Sequence, residues 1–151
     1  MKTFETLSEL ALLVGQEVAV SDWTTITQEQ INQFAQATGD HQWIHVDVER
    51  ARAGPFGAPI AHGFLTLSLL PHFFHTALEV RQSGMGVNYG LNKVRFMAPV
   101  TVGSRLRARL KLLRCEPIDN NGMQMTWEVA VEKEGAGKPV CVAESIARRY
   151  P

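Results

Sequence analysis

At 151 residues the chain is long enough for one domain with a real hydrophobic core and too short for two that fold independently, so residues 1–151 are expected to form a single domain. Fifteen lysines and arginines balance fifteen aspartates and glutamates, which excludes the overall positive field that draws a protein to nucleic acid or an anionic membrane. Cys115 and Cys141 lie far apart without Cys-x-x-Cys spacing, which excludes a redox motif and leaves them as small hydrophobes.

The opening Met1-Lys2-Thr3-Phe4-Glu5 carries no basic segment followed by an apolar run, so no secretory signal is expected. The longest apolar stretch, around Phe64 to Phe74, is interrupted by Thr66, Ser68, Pro71 and His72 and is too short to cross a bilayer. A cytoplasmic protein without a membrane span is the expectation.

Residues 4 to 14 place Phe4, Leu7, Leu10 and Leu13 or Val14 at helical spacing, with Gly15 where a C-terminal cap belongs. From Glu17 to Ile26 the β-branched and aromatic content rises, which predicts a strand. Thr27 followed three residues later by Gln30 fits a capping box. The helix it starts aligns Ile31, Phe34, Ala35 and Thr38 on one face, and Gly39 is suited to end it in a left-handed cap. Asp40 is thereby placed at the mouth of a loop. Asp47 to Ala53 reads as a short solvated helix, stopped by the prolines and glycines of Gly54-Pro55-Phe56-Gly57-Ala58-Pro59. Ile60 to Val80 is hydrophobic on nearly every side and predicts a helix buried on most faces, kinked or broken at Pro71.

Strands are expected for the remainder. Leu106, Ala108, Leu110 and Leu112 alternate with Arg105, Arg107, Arg109 and Lys111, and Met123, Met125, Trp127, Val129 and Val131 alternate with Gln124, Thr126, Glu128 and Glu132. Asn121-Gly122 marks a hairpin between them, in which the arginine and glutamate faces pair. Val87 to Met97 supplies the preceding strand and Pro139 to Arg149 the last. This order, without alternating β-α units, is an α+β layout in which an antiparallel sheet wraps a central apolar helix. Such a sheet keeps open edges, so a homodimer with a continuous sheet is expected.

Charge, imidazole and turn chemistry converge at Thr38-Gly39-Asp40-His41-Gln42-Trp43-Ile44-His45. The run Phe34 to His45, together with Ala58-Pro59-Ile60-Ala61-His62-Gly63-Phe64 and Lys93-Val94-Arg95-Phe96-Met97-Ala98-Pro99-Val100, resembles the MaoC-like dehydratases, which include the (R)-specific enoyl-CoA hydratases and have the hot-dog fold. The resemblance covers roughly residues 20 to 115. It implies that Asp40 and His45 are the catalytic pair and that the Gly63 N–H binds the substrate's thioester oxygen. One departure is visible: hydratases of this group have Asn-Pro where this chain has Gln42-Trp43, which bears on loop shape and acyl-chain length.

Hydrating a 2-enoyl thioester needs a base for water, a proton for the α-carbon and a donor for the enolate oxygen. Asp40 and His45 can orient and deprotonate one water, and the residues leave open which is the base. The Gly63 N–H, in a first helical turn, is the candidate oxyanion donor. The partner implied is an acyl-CoA or acyl-carrier-protein thioester, with no separate cofactor because coenzyme A is part of the substrate. Lys93 and Arg95 are candidate phosphate contacts; the arginine strand is expected to be a solvated face paired with glutamates.

The five histidines suggest no metal site, because His41/His45 and His72/His75 lack the third and fourth ligands that zinc wants. His62 is expected to orient the loop, and Ser68 lacks the setting of a nucleophile. Two other functions fit the same fold: a hot-dog acyl-CoA thioesterase, and a non-catalytic acyl-binding partner.

Overall fold

The chain's first residues depart from the expected helix. In a computed structural model, which describes residues 1–151, Lys2–Phe4 form a short strand, β1, and helix α1 (Leu7–Ala11) starts after Thr6, whose hydroxyl accepts the Glu9 N–H. Leu7 and Leu10 are buried as the spacing requires, whereas Phe4 is drawn into parallel pairing with Val80 far along the chain. The expected strand from Glu17 to Ile26 is divided into β2 (Glu17–Val20) and β3 (Thr24–Thr25).

Helix α2 (Gln28–Thr38) has both expected ends. The Thr27 hydroxyl accepts the Gln30 N–H at 3.1 Å, and Gly39 closes the helix in the left-handed region at φ 81. A single helical turn, α3 (Trp43–Val46), occupies what was expected to be loop. Helix α4 (Val48–Arg52) follows, with the Asp47 carboxylate accepting the Arg50 N–H at 3.1 Å.

The long apolar segment is two helices rather than one. Helix α5 (Gly63–Ser68) ends at Leu69, and α6 (Leu70–Ala77) begins with Pro71 in its first turn, where a missing N–H leaves no bond unmade. Leu78–Val80, expected to be helical, is strand β4, the partner of β1. Nor is the segment buried on most faces. Leu65, Thr66, Leu70, Phe73 and Ala77 turn inward, while Phe64, Ser68, His72 and His75 form an exposed stripe at helical spacing.

The last four strands, β5 (Met85–Phe96), β6 (Arg105–Ile118), β7 (Gly122–Lys133) and β8 (Cys141–Tyr150), build an antiparallel sheet in the order β2-β6-β7-β8-β5, with β3 also on β6. Phe73 on α6 is fully buried in one cluster with Leu106, Leu110, Leu112 and Val129, and Phe74 meets Trp127 edge-on at 5.2 Å. The sheet therefore wraps the helical segment, which is the hot-dog arrangement. Across β6 and β7, Arg107 and Arg109 share Glu132, Arg105 meets Glu134 and Arg109 also reaches Glu17. The arginine strand is thus a paired solvated face. In the β6–β7 hairpin the positive-φ pair is Asn120 (φ 61) and Asn121 (φ 57), one residue earlier than Asn-Gly suggests. Gly122 is required for a different reason: a Cβ there would fall 2.7 Å from the Tyr150 ring. No helix is long and apolar enough to cross a membrane.

Candidate active site

Three loops and helix starts bring Asp40, His45 and His62 together, with candidate ligand atoms within 4.8 Å of one another. Gly39 ends α2 and reverses the chain, leaving Asp40 exposed. Its carboxylate accepts the Gln42 N–H at 3.3 Å, a local turn bond that fixes the side chain. The α3 turn then carries His45 inward to 6% exposure. His45 Nδ1 lies 2.7 Å from the Ile60 carbonyl oxygen, which can only accept, so Nδ1 carries the proton and Nε2 presents its lone pair. Gln28 braces the turn from α2 by donating to the His45 carbonyl at 2.9 Å.

His62, 3% exposed, ties the loops to each other. Its Nε2 donates to the Asp40 main-chain oxygen at 2.9 Å, and its ring stacks on His45 at 3.9 Å and 23° with Phe34 on a flank at 4.9 Å. Its Nδ1 is buried and without a partner. Burial pushes the His45 pKa down; the Ile60 carbonyl opposes this, the adjacent His62 adds to it, and Asp40 opposes it, with a net lowering. His45 is therefore a neutral imidazole at neutral pH, with Nε2 able to accept a proton.

Gly63 follows His62 directly and opens α5. Its N–H donates to no protein acceptor. A Cβ at Gly63 would lie 3.1 Å from the Phe96 ring, so β5 closes on this backbone from one side. A cavity of about 300 Å³ adjoins it, with Thr66 and Cys141 among its walls. Phe96 and the Ile60 carbonyl are the two contributors that sequence reasoning did not single out. Ile60 lay within the quoted Pro-Ile-Ala-His-Gly run, but nothing local marks its oxygen as a histidine acceptor.

The remaining expected residues are less central. Gln42 serves through its main-chain N–H, and its side chain makes no hydrogen bond. The Trp43 ring is taken up by the Arg50 guanidinium at 4.2 Å and by Gly54, where a Cβ would fall 3.0 Å from it, so it packs against α4 and the turn after it. Lys93 and Arg95 are exposed on β5, within about 10 Å of Phe96 along the strand. Arg95 donates to the Val94 carbonyl at 2.7 Å, and Lys93 has no ion pair.

Asp40, His45 and His62 are also the one group close enough to hold a metal ion. His45 Nε2 and His62 Nδ1 are the nitrogens such an ion would meet, on rings stacked at 3.9 Å.

Residues 9–134 match the family model described as the MaoC like domain. A "3-hydroxyacyl-thioester dehydratase Z" of Mycobacterium tuberculosis is 58% identical over 98% of both chains. "Nodulation protein N" of Rhizobium meliloti is 47% identical over 93% of this chain and 89% of its own. Among solved structures, the unliganded R-hydratase PhaJ1 of Pseudomonas aeruginosa superposes with a TM-score of 0.73 at 27% identity, covering 97% of this chain and 86% of that one. With the hot-dog architecture and the Asp40–His45 cluster in place, these matches show that the chain belongs to the MaoC-like dehydratase family.

Proposed function

We propose that the protein hydrates trans-2-enoyl thioesters to (R)-3-hydroxyacyl thioesters and catalyses the reverse dehydration, with Asp40 and His45 acting on one water. The observation that carries the reading is the bare Nε2 of a neutral, buried His45 beside the Asp40 carboxylate, its ring stacked on His62, which Gly63 with its free N–H directly follows. Relatives named as thioester dehydratases and R-hydratases support the substrate class and the configuration.

In this mechanism the carboxylate and Nε2 hold the water. As its oxygen bonds to C3, Nε2 takes one proton, and the electron pair of the C2–C3 double bond moves onto the thioester oxygen. The Gly63 N–H stabilises that enolate oxygen. The imidazolium, its charge eased by Asp40, then delivers the proton to C2, so hydrogen and hydroxyl add from one side. His62 holds the Asp40 loop and, stacked on the His45 ring, opposes a permanently charged His45. Lys93 and Arg95 are the candidate contacts for the phosphates of coenzyme A or a carrier protein. A second copy joined through the open β5 edge would cover Met85, Val87, Tyr89 and Leu91, which are exposed in the single chain; light scattering in solution should return a dimer mass.

The test uses crotonyl-CoA. Hydration removes the enoyl absorbance without releasing thiol and gives one enantiomer on chiral analysis. Asp40→Asn and His45→Gln should each lower turnover at least a hundredfold with the fold intact, the scale of general acid-base assistance. Wild-type turnover in either would remove the pair as catalysts. Free thiol would mark a thioesterase instead, and binding without turnover a non-catalytic acyl-binding protein.

A further inference from the structure

Helix α2 meets the Asp40–His45 pair at both of its ends. At its C-terminus Gly39 closes the helix and Asp40 follows directly, with the Thr38 hydroxyl accepting the Asp40 N–H at 3.5 Å. At its N-terminus Gln28 reaches across to α3, where its Nε2 donates to the His45 main-chain carbonyl at 2.9 Å. The helix is 11 residues long, ~16 Å at the usual rise per residue, and the Thr27 cap and the Gly39 closure fix its two ends.

The turn that carries His45 has no such stiffness of its own. Helix α3 is 4 residues, far short of the length at which a helix holds itself together in water, and the Gln42 side chain makes no cap bond at its start. Its shape comes from ties to other segments. On one side Ile60 donates its N–H to the Ile44 carbonyl at 3.0 Å, and its own carbonyl accepts from His45 Nδ1 at 2.7 Å. On the other side stands Gln28. Ile60 holds Ile44 and the His45 ring; Gln28 holds the His45 main chain from which that ring extends.

The Gln28 amide is oriented for this bond. Both Nε2 hydrogens are engaged, one by the His45 carbonyl and one by Asn32 Oδ1 at 2.9 Å, a turn along α2. Two oxygen acceptors determine which end of the amide faces α3. Its Oε1 is left buried and without a partner. An orphaned buried acceptor destabilises a fold, and a methionine of similar length would not carry one, so fold stability is no reason for a glutamine here.

We infer, resting on the hydration reading above, that Gln28 is a positioning residue for the reaction: it ties His45 to the helix whose other end presents Asp40. Helix α2 thereby sets the separation of the two groups that act on the water. Gln28 takes no part in proton transfer and acts only through His45. Displacing a base by about 1 Å lowers rates on the order of 10²-fold, so turnover depends on this bond even though it lies outside the reacting atoms.

Steady-state hydration of crotonyl-CoA and thermal unfolding, both on the full-length protein, test the inference. Gln28→Met should lower kcat about tenfold or more, leave KM within about twofold, and keep Tm within about 4 °C of wild type. A double-mutant cycle adds a readout that general loosening of the fold would not give. In a His45→Gln background, Gln28→Met should lower the residual turnover by less than about twofold, because the group it positions is gone. Gln28→Glu keeps the shape but turns an oxygen toward the two acceptors, so it should lower kcat by a similar factor, and it carries the test if Gln28→Met does not fold. A kcat within about twofold of wild type in either folded variant overturns the inference, as does a loss of the same size repeated in the His45→Gln background. Hydration that fails in the wild-type protein, or persists at wild-type turnover in His45→Gln, defeats the hydration reading and this inference with it. Hydration that needs His45 but not Gln28 defeats this inference alone.

Discussion

Replacing Gly63 with alanine separates an oxyanion donor from a structural glycine. Gly63 is not in the left-handed region, so alanine meets no backbone strain, and only the new methyl matters. It would approach three atoms of the Phe96 ring at 3.1, 3.1 and 3.3 Å. Phe96 is 44% exposed and free to withdraw by a few tenths of an ångström, so crowding should cost no more than about 1 kcal/mol. Against this, alanine in place of glycine reduces the freedom of the unfolded chain and returns about 0.4–1 kcal/mol. The two nearly cancel, and Tm should stay within about 4 °C of wild type. Activity should behave otherwise. A methyl at this point displaces the thioester oxygen from the Gly63 N–H, and loss of one oxyanion donor lowers turnover on the order of 10²–10³, about 2.7–4 kcal/mol. Thermal unfolding and crotonyl-CoA hydration measured on the same preparation give both numbers. Hydration within threefold of wild type would refute the donor role. Full rescue by adding Phe96→Ala would show that the methyl acts by pushing the ring rather than by crowding substrate.

Two further outcomes follow from burial. His45 has a folded pKa below the ordinary 6.5, so above pH 6.5 both folded and unfolded chains hold it neutral, and as pH falls the unfolded chain takes a proton that the fold resists. Stability from this group is thus present above about pH 6.5 and lost as pH drops through the folded value, and the acid limb of kcat/KM should lie below 6.5; a limb at or above it would contradict a desolvated base. Phe73→Ala empties a fully buried site between helix and sheet and should cost about 3–5 kcal/mol in denaturant unfolding, on the order of 10 °C in Tm, and a loss under 1 kcal/mol would mean that the site collapses onto neighbouring side chains.

What could be read from the sequence is what neighbours along the chain decide. Thr27 and Gly39 cap α2 through bonds to residues three or four positions away, and the alternation of Leu106, Ala108 and Leu110 with arginines needs only the pleat of a strand. Where distant segments compete, the local pattern misleads. Phe4 follows helical spacing yet pairs beside Val80, and Leu78 to Val80 follow a helix yet are held as a strand by β1, because an edge hydrogen-bonded to a partner outweighs a weak helical preference. The break in the apolar segment was placed at Pro71 and falls at Leu69, since proline is well tolerated in a first turn.

The candidate site divides along the same line, and the division bears on its chemistry. Asp40 and His45 are close in sequence and were legible as a pair, but nothing within that stretch says which nitrogen of His45 is protonated. Ile60, fifteen residues on, settles that with its carbonyl, and His62, twenty-two residues from Asp40, fixes the loop. The two partners sit beside Gly63, so the turn that sets the histidine tautomer also presents the free N–H. The proposed base and the proposed oxyanion donor are therefore positioned by one short stretch, Ile60 to Gly63. A shift of that stretch would misalign both at once, and for this reason substitutions at His62, which holds the Asp40 loop, should lower turnover of crotonyl-CoA.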